Sequence, residues 1–153
     1  LFDVDFWINC PVAVYFDGLG SLGALANSTL FAVSNSNRFL DNSYFANIAI
    51  AEIAAIEEWK EKCRLHILSL EHFQFVPCLR YRARYSGSQN TLLTSSDPVA
   101  IDTLIYHLFK QHRVQAGIFK PKEKAPGYLD LAQQLEVGSS NFSSHQINLK
   151  EKL

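Results

Sequence analysis

Residues Pro11 to Asn27, PVAVYFDGLGSLGALAN, join an apolar, strand-like run to three glycines, Gly18, Gly20 and Gly23, spaced G-x-G-x-x-G. Between a strand and a helix this spacing can cradle a dinucleotide pyrophosphate, because glycines allow a tight turn and the helix N-terminus faces the phosphates. Such a site also needs a helix of about ten residues or more to cross back over the sheet, and a selector residue about 20 positions on. PVAVYF supplies the strand, and Asn37-Arg38 stands where a 2′-phosphate could be held. The helix is what fails. Only a few residues separate Gly23 from the polar, β-branched run that begins at Ser28-Thr29. The stretch therefore reads as a glycine turn that opens one short helix through Asn27.

Upstream, Val4 to Phe16 is apolar, aromatic and β-branched, which predicts a buried strand interrupted at Pro11, since proline cannot donate to a sheet ladder. Downstream, TLFAVSN predicts a second strand or an extended connection. Ser43 to Lys62 has helical spacing, with Ile48, Ala51, Ala55 and Trp59 on one row, and its apolar early part predicts burial on a sheet. LHILSLEHFQF reads as a strand. LRYRARY alternates strictly, so an extended Leu79–Tyr85 would place Arg80, Arg82 and Arg84 on one side and tyrosines on the other. After the short strand TLLTSS, Ser96-Asp97-Pro98 combines a capping side chain with proline at the first helical position. That helix, PVAIDTLIYHLFKQHR, carries Ile101, Leu104, Ile105, Leu108 and Phe109 toward a core. FKPKEKAPG is a charged loop, and YLDLAQQLEVG is a last helix stopped at Gly138. Together these elements predict an α/β domain over residues 1–138, with a mixed or mostly parallel sheet flanked by helices, and a polar tail over 139–153.

At 153 residues, 48% hydrophobic and 19% charged, the chain is long enough for one real core. Lys and Arg total 14 against 15 Asp and Glu, so the net charge of -1 offers no global attraction to nucleic acid or to an anionic membrane. No apolar run approaches the roughly 20 residues of a membrane span and the N-terminus has no basic leader region, which favours a cytoplasmic protein. The chain starts at Leu1 and contains no Met, which suggests either an internal start or a shortened variant. Cys10, Cys63 and Cys78 lie far apart without C-x-x-C spacing and read as small core residues. The five histidines form no i,i+4 pair and no H-E-x-x-H, so no metal site is expected.

Two carboxylates stand out. Asp97 has the position of a helix cap, and Asp102 shares a helical row with Val99, Ile105, Tyr106 and Phe109, where a buried carboxylate needs a partner or a raised pKa. Both are the candidate catalytic groups. Gly20, Gly23 and Asn27 at the turn, together with Arg80, Arg82 and Arg84, are the candidate ligand-binding residues, the guanidinium groups being suited to carboxylate or phosphate.

Two segments carry a family resemblance. DFWINCPVAVYFDGLGSLGALAN resembles an apolar strand ending in I-N-x-P, a Lys and His segment, then G-x-T-G-A-L-K-N; LLTSSDPVAIDTLIYHL resembles a strand followed by S-x-D-P-V-A-x-D at a helix start. YLDLAQQLEVGSSN followed by INLK resembles the closing A-x-x-L-G-x-G segment. These are patterns of the bacterial and archaeal family known as domain of unknown function 362, whose members are often found with ferredoxin-type iron–sulfur modules. The resemblance covers nearly the whole chain and implies that Gly20 and Gly23 are family glycines while Gly18 is incidental. It also implies an iron–sulfur protein as a candidate partner. Val14, Phe16 and Ala26 stand where the family pattern has basic or imidazole side chains, removing groups suited to hold an anion or move a proton. A more distant similarity, to the turn of nickel-pincer lactate racemases whose lysine tethers the cofactor, implies no covalent cofactor here, because Ala26 cannot form the tether. The expected function is a degenerate or non-catalytic domain that binds a small anion or a protein partner. The alternative is a redox-associated or isomerase-like enzyme with its site between the glycine turn and the DPVAID helix start.

Overall fold

A computed structural model describes residues 3–77, 80–118, 125–145 and 147. Its fold is α/β, one domain built on a mixed six-stranded sheet flanked by helices. The apolar run at the start becomes β1 (Trp7–Asn9) and β2 (Val12–Phe16), divided at Cys10-Pro11 as the missing proline N–H requires. Residues 4–6, expected in that strand, lie outside it and are exposed. Both strands pair in parallel with β4 (Cys63–Gln74), β1 at Cys63–His66 and β2 from Ser69 onward. The opposite edge of β4 pairs antiparallel with β6 (Leu92–Ser95) and β5 (Ser86–Gly87). Central β4 thus has neighbours on both sides, which is why its alternation is blurred: His66, Leu68 and Leu70 face the core, and beyond an irregularity Phe73 and Phe75 take over while His72 is exposed.

The opening stretch is a hairpin. Asp17 to Leu19 turn β2 back into β3 (Gly20–Leu22), which runs antiparallel to it, with positive φ at Gly18 (83°) and Gly20 (84°) supplying the reversal. Only then does α1 (Ala24–Ser28) begin, five residues long. A strand followed by a reversal and a single helical turn is not a phosphate-binding βα unit.

Helix α5 (Pro98–Gln115) lies across the sheet: Ile101, Ile105 and Phe109 pack on Ala13, Leu68, Leu70 and Phe73. Arg113, in its last turn, is buried; Nη1 donates to the Phe75 carbonyl at 3.1 Å and the guanidinium lies 4.5 Å from the Tyr15 ring centroid. A second core joins α1 to α3 (Ser43–Ala54) and α6 (Gly127–Gln134) through Leu25, Leu30, Ala46, Ile50, Tyr128 and Leu129. Expected on a sheet, α3 packs instead among helices: its small buried residues Ala46, Ala49, Ala51 and Ala54 allow close approach to neighbouring helices.

The expected single helix 43–62 is two. Ile56 leaves helical geometry (ψ 130°) and its carbonyl accepts from Trp59 and Lys60, starting α4 (Glu57–Lys62) on a new axis. Buried Trp59 then meets Trp7 edge to face, centroids 4.7 Å apart. The segment TLFAVSN, for which a strand or an extended connection was expected, forms turns leading to the short helix α2 (Asn37–Leu40). The last helix ends at Gln134 rather than Gly138, after which Glu136 takes a positive φ of 58°.

Candidate functional site

Helix α1 has no capping side chain of its own, because its N-cap is Gly23. Asp102, on the first turns of α5 and wholly buried, fills that role from across the chain: Oδ1 accepts from the Ala24 amide at 2.5 Å and Oδ2 from the Leu25 amide at 3.1 Å. Gly23 makes the approach possible, since a Cβ there would sit 2.5 Å from both Asp102 Oδ1 and Ile105 Cδ1. The third partner is the Tyr128 hydroxyl, 3.2 Å from Asp102 Oδ2 and 2.6 Å from the Ser21 carbonyl. That hydroxyl has one proton and two acceptors in reach. Burial pushes Asp102 up to about 7, against the pull of the two amides and Tyr128, so near neutrality the carboxyl itself supplies a proton to this cluster. Tyr128 is pushed well above its ordinary value by burial and then by Asp102, and stays protonated.

Asp97 is equally committed. Its Oδ1 caps α5, accepting from Val99 at 2.8 Å and Ala100 at 3.1 Å, while Oδ2 accepts from the Ser139 amide at 2.8 Å. The neighbouring Gly138 leaves the room; a Cβ there would collide with the Asp97 carboxylate. The two candidate catalytic aspartates therefore lie on one helix end, and each is directed at backbone amides.

Asn27 does belong to a polar cluster, though with partners that no local pattern foretold. Its Nδ2 donates to Asn9 Oδ1 at 2.6 Å; Asn9 Nδ2 donates to the Ala24 carbonyl at 2.8 Å and lies 2.9 Å from His66 Nδ1. The Ala24 carbonyl, which also accepts from Ser28 Oγ, can only accept, so the Asn9 atom facing it is Nδ2, and that amide in turn makes His66 Nδ1 an acceptor. The imidazole proton is then on Nε2, 3.7 Å from Cys63 Sγ. Burial lowers His66 to about 4, with Asp97 opposing weakly, and raises Cys63 to about 11. Cysteine, histidine and asparagine in this order would suit a nucleophile, its base and an orienting group. The protons are arranged the other way: a neutral thiol faces an N–H donor, and no lone pair on the ring is free to take the thiol proton.

Cys63, His66 and Lys60 line a cavity of about 80 Å³ together with Ser28, Trp59, Ser96 and Pro98. It has room for several waters or one small ion. Trp59 Nε1 is buried and meets no hydrogen-bond acceptor among the described residues. Lys60 also approaches Glu57, 3.5 Å away on the solvent side. Among the described residues no three His, Cys, Asp or Glu side chains are grouped to hold a metal ion, and no helix is long and apolar enough to cross a membrane.

The other candidates are dispersed. Gly20 packs against Pro126. The strand expected over Leu79–Tyr85 is absent: Ala83–Tyr85 form a 3-10 turn, Arg80, Arg82 and Arg84 are exposed, and the Arg82 amide is held by Gln74 Oε1 at 3.0 Å. With no regular strand the three guanidinium groups do not form one row; Leu79 lies outside the described residues. Nor are the cysteines simple core residues, for Cys10 is exposed and Cys63 half-buried at the cavity; Cys78 lies outside the described residues. Comparisons with protein families, curated proteins and solved structures give no match for this chain.

Proposed function

We propose that this chain is a non-catalytic binding domain whose ligand is a small anion, carboxylate or oxyanion in type, taken up in the Cys63–His66–Lys60 cavity. The supporting observation is the make-up of that cavity: Lys60, Ser96 and Cys63 line it with no carboxylate among the lining residues, and His66 stands by the thiol with its proton on Nε2. Donors and a positive charge without a carboxylate on the wall complement an acceptor-only ligand. Against catalysis, Asp97 and Asp102 spend their oxygens on helix caps and the thiol has no base. The replacements at Val14, Phe16 and Ala26 relative to the domain of unknown function 362 pattern point the same way.

Trp59 lines the cavity and Trp7 touches it, so both tryptophans of the chain report on the site. Intrinsic fluorescence titrated with acetate and with phosphate at constant ionic strength is expected to saturate, and Lys60→Ala to weaken the response roughly tenfold, the equivalent of about 1.4 kcal/mol. A flat titration with both anions, or an unchanged one in Lys60→Ala, would remove the proposal.

A further inference from the structure

The cavity lined by Lys60 and Cys63 differs between its rim and its interior. The lining residues that reach solvent include Ser96, which is exposed, Lys60, whose side chain is 32% exposed, and half-buried Cys63. These mark the mouth. Farther in, Leu25, Ala54, Trp59 and Pro98 are buried and apolar. Two polar side chains stand among them, and both are engaged: Ser28 Oγ donates to the Ala24 carbonyl at 2.9 Å and lies 3.2 Å from that of Leu25, while His66 has Asn9 on one ring nitrogen and Cys63 on the other. The Trp59 N–H has no accessible surface, so the carbon atoms of the ring are what that residue presents to the cavity.

A wholly polar anion such as phosphate would turn some of its oxygens toward these buried walls, where no donor replaces the water they lose. A second carboxylate on the ligand would meet the same cost. A single carboxylate with a short hydrocarbon chain avoids it: the head stays at the mouth beside Lys60, and the chain displaces water from Leu25, Ala54 and the indole. The volume then limits the length of the chain. At roughly 10–15 Å³ for each water-sized group, a cavity of about 80 Å³ holds on the order of five to eight non-hydrogen atoms, and the carboxylate takes its share of them. We infer that the ligand of this cavity is a short aliphatic monocarboxylate of about three to six carbons, bound with its chain inward.

This rests on the anion reading above and narrows it to one class of ligand. Tryptophan fluorescence of the full chain, titrated with acetate, propionate and butyrate at constant ionic strength and pH, is expected to show the dissociation constant falling about fourfold with each added methylene. Octanoate should gain nothing over butyrate, because its chain exceeds the space, and phosphate should bind more weakly than butyrate. Lys60→Ala should weaken all three short acids by a similar factor, since their heads are alike. Ala54→Val, which adds two carbons at the inner end, should lower the preference for butyrate over acetate; Val137→Leu, at a partly buried position on the wall, makes the same test through different packing. Equal dissociation constants for acetate and butyrate, or tighter binding of phosphate than of butyrate, overturn the recognition of the chain and leave the anion reading standing. No saturation with any of these anions overturns both.

Discussion

Replacing Asp102 by Asn should change the shape of the stability–pH curve more than its height. The folded carboxyl titrates at about 7 against an ordinary 3.8. Between those values the folded state holds the proton and the unfolded state does not, so stability is full below pH 4 and falls as pH rises to 7. Three pH units correspond to about 4 kcal/mol. His66 works with the opposite sign: folded about 4, ordinarily 6.5, so the unfolded state takes the proton first and stability rises with pH across that window by about 3 kcal/mol. His112, lowered by burial, adds to the rising limb. The limbs overlap from pH 4 to 6.5 and nearly cancel in the wild-type protein. Asp102→Asn removes the falling limb, so the variant should gain about 3 kcal/mol from pH 4 to 6.5 while the wild type stays nearly level. The amide also brings a donor toward the Ala24 and Leu25 amides, a cost of about 1–3 kcal/mol that is the same at every pH. Urea unfolding followed by tryptophan fluorescence at half-unit steps from pH 4 to 8 reads both curves. If the two run parallel, Asp102 does not hold its proton in the fold and the account of its cluster is wrong.

Gly23→Ala should destabilise by about 2–3 kcal/mol in the same assay, because the new methyl displaces either the Asp102 cap or Ile105; tolerance of alanine would show that the α1 N-terminus is not packed as described. Asp97→Ala should cost about 1–2 kcal/mol in global stability and speed proteolysis just beyond Gly138, since one carboxylate both caps α5 and holds the Ser139 amide. Unchanged cleavage there would confine Asp97 to its cap. Gly138→Ala should mimic the proteolytic phenotype through collision with Asp97, with a smaller loss in the thermal unfolding midpoint than Asp97→Ala.

Local signals in this sequence were readable where their partners were local. Ser96-Asp97-Pro98 announced α5 to the residue, since cap and first-turn proline act within three positions. The row Val99, Asp102, Ile105, Tyr106, Phe109 correctly suggested a buried Asp102, but the groups that receive it belong to residues 24, 25 and 128, which only the fold assembles. The alternation of LRYRARY misled because period-two spacing predicts a strand only when one face has something to bury, and Tyr81 is 74% exposed. Apolar residues all round α3 fitted a sheet or a helix pair equally well. Cys63 and His66 are three apart, and in a regular strand an odd separation points side chains to opposite faces. They meet because Cys63 is also the C-cap of α4, with φ -80° and ψ 87°, and turns toward the ring.

The hydrogen bonds that close the N-terminal third come from residues synthesised late. Ala24 is 78 positions from Asp102, and Ser21 is 107 from the Tyr128 hydroxyl that seals it. At about 5–20 residues per second, a ribosome needs on the order of 10 s to span that interval. Until Cys63–Gln74 and then Pro98–Gln115 have been made, the β2–β3 hairpin has neither β4 beside it nor α5 across it, and Ala13 and Leu22, buried in the finished domain, remain in water. Folding of this chain is accordingly a late, concerted event of high contact order, and the nascent polypeptide, more than the finished domain, is the species that calls for a chaperone.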